Sequence, residues 1–185
     1  MVNKLTYLEI LGVFRTKPKE ELHLADISRE SGIPHPTARL WLNTLEKKGV
    51  LRKRTKGRLT LYSINLSNPN IIDYLSIVEK DKLIKECENS LILKEIKDFF
   101  NDHDCHAIIF GSSAVDITKA NDIDILIVGS IEEKRLKVLS QKLNKVFHVI
   151  KVSNLKKISK SFKNEVLKKH IFLTISDNLM GLMIS

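Results

Sequence analysis

The sequence predicts an α+β protein with three parts: an N-terminal domain of helices and a β-hairpin, a helical connector, and a C-terminal small mixed-sheet α/β domain. Three patterns predict it. Apolar residues first recur at helical spacing and then alternate around a basic turn. A helical segment rich in Ile, Leu, Lys and Glu follows, and short apolar runs then alternate with helical patterns. We place the three parts at residues 1–67, 68–89 and 90–185.

Apolar spacing in the first domain predicts three helices, over residues 4–14, 24–33 and 37–49. Gly32 and Gly49 stand where the second and third helices end, because glycine accepts the left-handed conformation that often closes a helix. A short turn that contains proline separates these two helices. The first domain therefore has two helices joined by a tight turn.

A β-hairpin follows the third helix. Residues 50–64 predict a strand, a basic turn that contains Gly57, and a second strand in which side chains alternate between two faces. On the preceding helix we assign Trp41 and Leu45 to the core-facing side. Two helices, a tight turn and a basic hairpin together resemble the winged helix-turn-helix transcription regulators of the MarR and ArsR type, over the whole first domain.

This resemblance implies binding to double-stranded DNA, with the third helix in the major groove and the hairpin along the phosphates. Arg and Asn side chains can pair with guanine and adenine edges, whereas basic hairpin side chains contact the backbone. The DNA-binding candidates are His35, Thr37, Arg39 and Asn43 on the helix, and Arg52, Lys53, Arg54, Lys56 and Arg58 on the hairpin.

The distribution of charge supports a polyanionic partner. Residues 1–67 hold 13 Lys and Arg against 6 Asp and Glu, a net charge of +7, whereas the remainder holds 18 against 16, a net charge of +2. Basic charge concentrated in one segment is typical of a nucleic-acid-binding surface. The alternative is a solvated hairpin with no partner.

The connector shows no flexible Gly/Ser composition. Residues 69–78 and 81–101 predict two helices. Such helices can pack against a second copy, so we expect a homodimer that would match palindromic half-sites. Alternatively, Leu91, Ile96 and Phe99 cover the sheet of the second domain.

The second domain begins with two predicted strands. Residues 105–110 form a short apolar run, and another run starts at Asp122. Residues i and i+2 of a strand point to the same side, so Asp122 and Asp124 present two carboxylates to one place while Ile123 and Ile125 point into the core. Two hard oxygen ligands on one face suit Mg²⁺.

A Gly-Ser pair ends the first of these strands. Gly111 lets the backbone approach a phosphate closely, and Ser112, which we expect to open a helix, offers N–H and hydroxyl groups to it. The pattern of a strand, Gly-Ser, a short spacer and Asp-Ile-Asp resembles the nucleotidyltransferase superfamily, over residues 90–175. The resemblance implies that Gly111, Ser112 and Ser113 bind a nucleoside triphosphate, and that Asp122 and Asp124 are catalytic and hold Mg²⁺.

The resemblance also implies a third carboxylate on the next strand, over residues 146–152, which has none. His148 stands at the expected position, either as a metal ligand or as a structural residue. Asp104 and Asp116 are the alternatives that could substitute in space for the third carboxylate. The spacer also lacks the Arg and Gly that are usual after Gly-Ser. Enzyme activity is therefore left open, with two of the three expected carboxylates present.

Two functions remain at this point. The first is a DNA-binding transcription regulator whose second domain is a degenerate nucleotide-sensing or dimerisation module. The second is an active Mg²⁺-dependent nucleotidyltransferase that transfers a nucleoside monophosphate to a hydroxyl of a protein or small molecule, as the antitoxin partner of a small helical toxin. The missing carboxylate favours the first.

The sequence gives no sign of a membrane partner. No apolar run approaches the roughly 20 residues that a membrane-spanning helix needs. Cys87 and Cys105 are too few for a disulfide framework, which agrees with a reducing compartment. We expect a cytoplasmic protein.

Overall fold

The computed structural model describes residues 6–184 and divides into two compact units. The first comprises the residues up to Glu79 together with those from Met183, and the second comprises Lys80–Leu182. Both contain helices and a β-sheet, which confirms the α+β class. Among the described residues, no helix has the length and apolar character needed to cross a membrane.

The first unit is a small helical domain with a three-stranded antiparallel sheet in the order β1-β3-β2. Its elements are α1 (Thr6–Gly12), β1 (Leu22–His23), α2 (Leu24–Ser31), α3 (His35–Lys47), β2 (Leu51–Lys56) and β3 (Leu59–Ile64). The predicted hairpin is therefore confirmed. The start of the first predicted helix, residues 4–5, lies outside the described residues.

Local signals set the ends of α2 and α3. The imidazole of His23 accepts a hydrogen bond from the Ala25 N–H at 3.2 Å at the start of α2, and Gly32 closes this helix with φ of 70°. We predicted that α3 starts at Thr37, and this was wrong by two residues. The helix starts at His35 because Pro36 fits a first turn, where its missing N–H has no partner to lose.

The apolar face of α3 packs into the first unit. Ala38, Leu42 and Leu45 are buried, which confirms Leu45 as a core residue. Trp41 is only half-buried, with its ring 6.1 Å from that of Tyr7, so it lies at the margin of the core and not within it. The reason is the helical period, since positions 38, 42 and 45 define the buried stripe and position 41 falls at its margin.

Two helices are present over the connector, but the break predicted between residues 78 and 81 was misplaced. The first helix, α4 (Ile71–Asn89), continues through these positions, because no Gly or Pro interrupts it there. Next comes α5 (Leu91–Asn101), which Ser90 caps by accepting a hydrogen bond from the Leu93 N–H at 3.2 Å.

The alternative prediction, that side chains of α5 cover the sheet of the second domain, is confirmed only in part. Ile96 is fully buried and Phe99 partly buried against the sheet of the second unit. Leu91, in contrast, is 80% exposed, because it occupies the first turn on the solvent side, so it does not cover the sheet.

The second unit is built on a four-stranded mixed sheet in the order β6-β5-β4-β7. After α5 the chain continues with β4 (Cys105–Phe110), β5 (Asp122–Gly129), α6 (Glu133–Leu143), β6 (Val146–Val152), a 3₁₀ turn (Leu155–Lys157), α7 (Lys160–Lys168), β7 (His170–Phe172) and α8 (Asp177–Ile184). β5 pairs antiparallel with β4 and parallel with β6. The end of β4 and the starts of β5 and β6 therefore meet at one edge of the sheet.

The middle strand β5 supplies much of the core of the second unit. Ile123 and Ile125 are fully buried, as predicted, in one cluster with residues of α5, α6 and β4. Asp122 and Asp124 take the alternate positions and point away from this cluster. The strand period thus places both carboxylates on one face of β5, opposite to this cluster.

A buried ion pair lies in the first unit. The Arg15 guanidinium donates to both carboxylate oxygens of Glu79, through Nε at 2.9 Å and Nη2 at 3.1 Å. The Glu79 side chain is 1% exposed. Two such charges are tolerated because each satisfies the other at bonding distance.

Replacing Glu79 with Leu is expected to lower the free energy of unfolding by about 3–5 kcal/mol, because it leaves the buried Arg15 guanidinium without its carboxylate. The matched control is the exposed pair of Lys17 and Glu30, whose Nζ–Oε1 distance is 2.8 Å. Glu30→Leu should cost no more than about 1 kcal/mol in the same urea titration. Equal decreases in the free energy of unfolding of the two variants would contradict the larger cost expected for breaking the buried pair.

Candidate functional site

A basic groove lies between α3 and the hairpin of the first unit. It has a volume of about 280 Å³. Its basic lining comprises His35 and Arg39 from α3 and Lys53 and Arg58 from the hairpin, all of them exposed. The structure therefore brings candidate residues from both elements to one surface.

The floor of this groove is fixed by Asn43. Its side-chain oxygen accepts hydrogen bonds from Lys53 Nζ at 3.4 Å and from the Tyr62 hydroxyl at 3.5 Å. Lys53 Nζ also lies 6.0 Å from the centre of the Tyr62 ring. Burial raises the pKa of Tyr62 above 10.0, partly offset by Arg39, so this hydroxyl stays a neutral donor. Asn43 ties α3 to the hairpin.

The basic hairpin residues divide into held and open side chains. Arg52 donates to Asn65 at 2.8 Å and Ser67 at 2.7 Å, and Arg54 pairs with Glu21. Within residues 6–184, the side chains of Lys56 and Arg58 have no hydrogen-bond or ion-pair partner, and neither does that of Arg39. Thr37 is half-buried near the start of α3. These open cations carry charge that a ligand can neutralise.

Sequence reasoning missed the supporting residues of this groove. Tyr62, Thr60 and His23 all line it. The alternation along β3 was the available signal, because Tyr62 and Ile64 share the face that packs toward α3. His23 gave no signal, since its position depends on β1 pairing with β3 through His23 and Leu61.

A second candidate site lies at the sheet edge where β4 ends and β5 and β6 begin. Antiparallel register places Phe110 opposite Asp124, and parallel register places Asp124 opposite His148. His148 Nδ1 lies 3.4 Å from Asp122 Oδ2 and 3.4 Å from Asp124 Oδ1. Within the described chain, these three form the group of acidic, His or Cys side chains that converges as a metal site would.

The donor set at this edge differs from a set of three carboxylates. Asp122, Asp124 and His148 offer two carboxylate oxygens and one imidazole nitrogen. Their side chains are 52%, 30% and 59% exposed, so water or a ligand can reach all three. A pair of Mg²⁺ ions prefers oxygen ligands throughout, and the residues present do not provide them.

Gly111 makes this arrangement sterically possible. Its φ is 72°, in the left-handed region, and a Cβ added there would lie 2.8 Å from Asp124 Oδ2. No helix begins at Ser112, so that prediction was wrong. Residues 111–115 instead form a turn, at the start of the loop that connects β4 to β5.

The two serines after Gly111 have different environments. Ser112 is exposed. Ser113 is fully buried, where its hydroxyl donates to the Phe110 carbonyl at 2.9 Å and accepts from the Asp124 N–H at 3.3 Å. Ser113 therefore braces the turn against β5, and only Ser112 presents its side chain to a ligand.

The remaining carboxylates near this sequence do not join the cluster. Asp116 accepts hydrogen bonds from the Thr118 hydroxyl at 2.6 Å and the Lys119 N–H at 3.2 Å. These bonds from Thr118 and then Lys119 lower the pKa of Asp116 to about 2. Asp104 precedes β4, at the opposite edge of the sheet from Asp122. Neither replaces the expected third carboxylate.

Comparison with known proteins supports the first unit. Residues 7–55 match the family model of the IclR helix-turn-helix domain. This confirms a helix-turn-helix domain, the architecture of DNA-binding transcription regulators. No curated protein matches the sequence.

Two solved structures show partial likeness. AF1382 from Archaeoglobus fulgidus is 16% identical with a TM-score of 0.37, over 48% of this chain and 93% of that one. TrmBL2, an archaeal chromatin protein whose structure shows a novel mode of DNA binding, is 16% identical with a TM-score of 0.29, over 84% of this chain and 67% of that one. Likeness at this level assigns no function.

Replacing Gly111 with Ala is expected to cost about 1–2 kcal/mol of stability, because an alanine at positive φ is strained. The new methyl group should also displace the Asp124 carboxylate. Gly57→Ala is the matched control, since Gly57 has φ of 60° and open space around it. Both should lose similar stability in urea titrations. NMR signals of the His148 ring should shift only in Gly111→Ala, and unchanged signals would contradict the contact.

Proposed function

We propose that this protein is a transcription regulator whose first unit binds double-stranded DNA, with α3 in the major groove and the hairpin on the phosphates. The observation that carries the proposal is the groove lined by exposed basic side chains of both α3 and the hairpin. A helix presented beside a basic hairpin suits duplex DNA, whose groove admits the helix and whose phosphates attract the hairpin.

Base reading falls to the exposed residues at the start of α3. His35 and Arg39 lie one turn apart and face solvent. Arg39 can pair with a guanine through two hydrogen bonds. Thr37 is half-buried and suits a phosphate contact, while Asn43 supports the geometry through its bonds to Lys53 and Tyr62.

The hairpin supplies affinity. Lys56 and Arg58 flank Gly57 at its tip and extend into solvent. Each phosphate contact releases counterions, so affinity that depends on these residues falls with salt. Arg52 and Arg54 are already held by protein partners, which orients them before binding and reduces the entropy lost on contact.

A second function belongs to the second unit, and the convergence of Asp122, Asp124 and His148 beside Gly111 favours it. We propose that this edge binds a nucleoside triphosphate together with a divalent cation. The turn at Gly111 and Ser112 would receive the phosphates, with N–H and hydroxyl groups as donors. Without a third carboxylate, we propose nucleotide sensing and not transfer as its role.

Arg39→Ala is expected to weaken binding to the preferred DNA by about 1–3 kcal/mol and to relax the choice of one base pair. The duplex comes from selection out of a random library, and affinity is measured by fluorescence anisotropy. Lys137→Ala, which removes an exposed cation from α6, is the matched control and should have no effect.

Lys56→Ala and Arg58→Ala test the phosphate contacts separately. Each should weaken binding to all duplexes alike and lower the slope of log affinity against log salt by about 1. Unchanged slopes would remove the hairpin from the interface. Absence of binding by the unaltered protein at ~50 mM salt would reject DNA binding itself, because phosphate contacts are strong at low salt.

Nucleotide binding is tested by equilibrium dialysis with labelled ATP or GTP and a divalent cation. Asp124→Ala and Ser112→Ala should each reduce binding, whereas Glu165→Ala, an exposed carboxylate of α7, should not. Mass spectrometry of candidate acceptors then separates sensing from transfer. A nucleotide added covalently, and lost in Asp122→Ala, would establish the enzyme in place of the sensor.

A further inference from the structure

We propose that Asp122, Asp124 and His148 bind a single transition-metal cation of the Zn²⁺ or Co²⁺ class in preference to Mg²⁺. This inference names the cation of the nucleotide site proposed above, although the metal site can exist without the nucleotide. It rests on the spacing of the three ligand atoms, on their chemistry and on the way the strands hold them.

The spacing of the ligand atoms fits a small tetrahedral ion. Zn²⁺ binds His nitrogen and Asp oxygen at roughly 2.0–2.2 Å, and tetrahedral bonds of that length separate neighbouring ligand atoms by about 3.4 Å. The two distances from His148 Nδ1 to the aspartate oxygens are both 3.4 Å. All three ligand atoms lie within 4.8 Å of one another. One cation can therefore bridge them with little movement.

The chemistry of the donors selects among divalent cations. Imidazole nitrogen suits Zn²⁺, Co²⁺, Ni²⁺ and Fe²⁺, whereas Mg²⁺ favours oxygen and retains its water. An imidazole in place of a carboxylate also leaves the set with one anionic ligand fewer. The loss weakens attraction for a second cation, so the site takes one ion.

The sheet holds these ligands in place. Asp124 and His148 are register partners on adjacent parallel strands, and Asp122 lies two residues away on the same face of β5. The Asp124 N–H is held by Ser113, and Gly111 leaves room for the carboxylate. The exposed side of the cluster leaves a coordination position for water or a phosphate oxygen, as in sites with three protein ligands.

A simple ion pair explains the geometry less well. A protonated His148 bonded to one aspartate would lie at about 2.7–2.9 Å from its oxygen, the usual length of a charge-assisted hydrogen bond. His148 Nδ1 instead lies 3.4 Å from an oxygen of each aspartate. Both distances exceed that hydrogen-bond length. Equal, longer separations are expected around a shared cation.

The other histidine-rich stretch serves as an internal comparison. His103 Nδ1 lies 2.6 Å from the Phe99 carbonyl and its Nε2 lies 3.2 Å from Arg135. His106 instead contacts Thr174 and Ser176 through its two nitrogens. These side chains are directed at separate partners, so His103 provides a control that is not a ligand.

The test uses the full chain without an affinity tag and titrates Co²⁺, Zn²⁺ or Mg²⁺ alone by calorimetry. One Co²⁺ or Zn²⁺ should bind at least about tenfold more tightly than Mg²⁺, since nitrogen-containing sites follow the transition-metal affinity order. Co²⁺ absorption gives a second readout, because its visible bands report nitrogen and oxygen ligands in a site of low coordination number.

Variants assign the ligands. His148→Ala should reduce Co²⁺ affinity by at least about tenfold and alter its absorption, as for loss of a direct ligand. His148→Asp should raise Mg²⁺ affinity and abolish the preference for Co²⁺ over Mg²⁺. His103→Ala should match the unaltered protein. Equal affinity for Mg²⁺, no binding of any cation, or a His148→Ala variant with unchanged Co²⁺ affinity would each overturn the proposal.

Nucleotide dialysis in the presence of Co²⁺ separates this inference from the proposed function. Co²⁺ binding without nucleotide binding would reject the nucleotide proposal and keep the metal site. Nucleotide binding by a protein that binds no Co²⁺ would reject the metal site and keep the nucleotide proposal.

Discussion

The pairing of β5 with both of its neighbours determines what the second unit can do. Antiparallel pairing with β4 brings the turn at Gly111 to the start of β5, and parallel pairing with β6 brings His148 to the same edge. The buried Ile123 and Ile125 fix the face of the strand, because a one-residue slip would exchange them with the aspartates. The burial of isoleucines therefore places the carboxylates.

The first unit depends on a corresponding constraint between α3 and the hairpin. Leu42 and Leu45 are buried on α3, and Leu51 is buried at the start of β2, which anchors the hairpin base to the same core. Asn43 adds polar bonds to Lys53 and Tyr62 across the groove. The core fixes the base of the hairpin, and Asn43 fixes the floor of the groove, so the exposed cations are held at a defined spacing. This arrangement lowers the conformational entropy that the proposed DNA binding would cost.

Much of this was predictable from sequence, and the reasons differ by element. Strand boundaries around Asp122 and His148 followed from the apolar pattern. The match of residues 7–55 confirms a helix-turn-helix domain within the first unit. The break expected in α4 failed because apolar spacing does not reveal whether a polar stretch continues a helix. Tertiary contacts, such as the hydrogen bond from the Asp124 N–H to the buried Ser113 hydroxyl, could not be predicted, because local composition does not determine which residues of distant segments meet.

The donor set connects the chemistry of the second unit with its proposed role. Displacement at a phosphate through two metal ions requires that both the attacking and the leaving oxygen be stabilised. Asp122 and Asp124 bring two carboxylates to the edge, and the imidazole of His148 occupies the position where a third carboxylate would assist a second ion. In the proposed role, a single cation would hold a triphosphate against the turn at Gly111 without displacement, as a nucleotide-sensing module requires. The imidazole at the position of a third carboxylate would then also determine which cation the proposed site prefers.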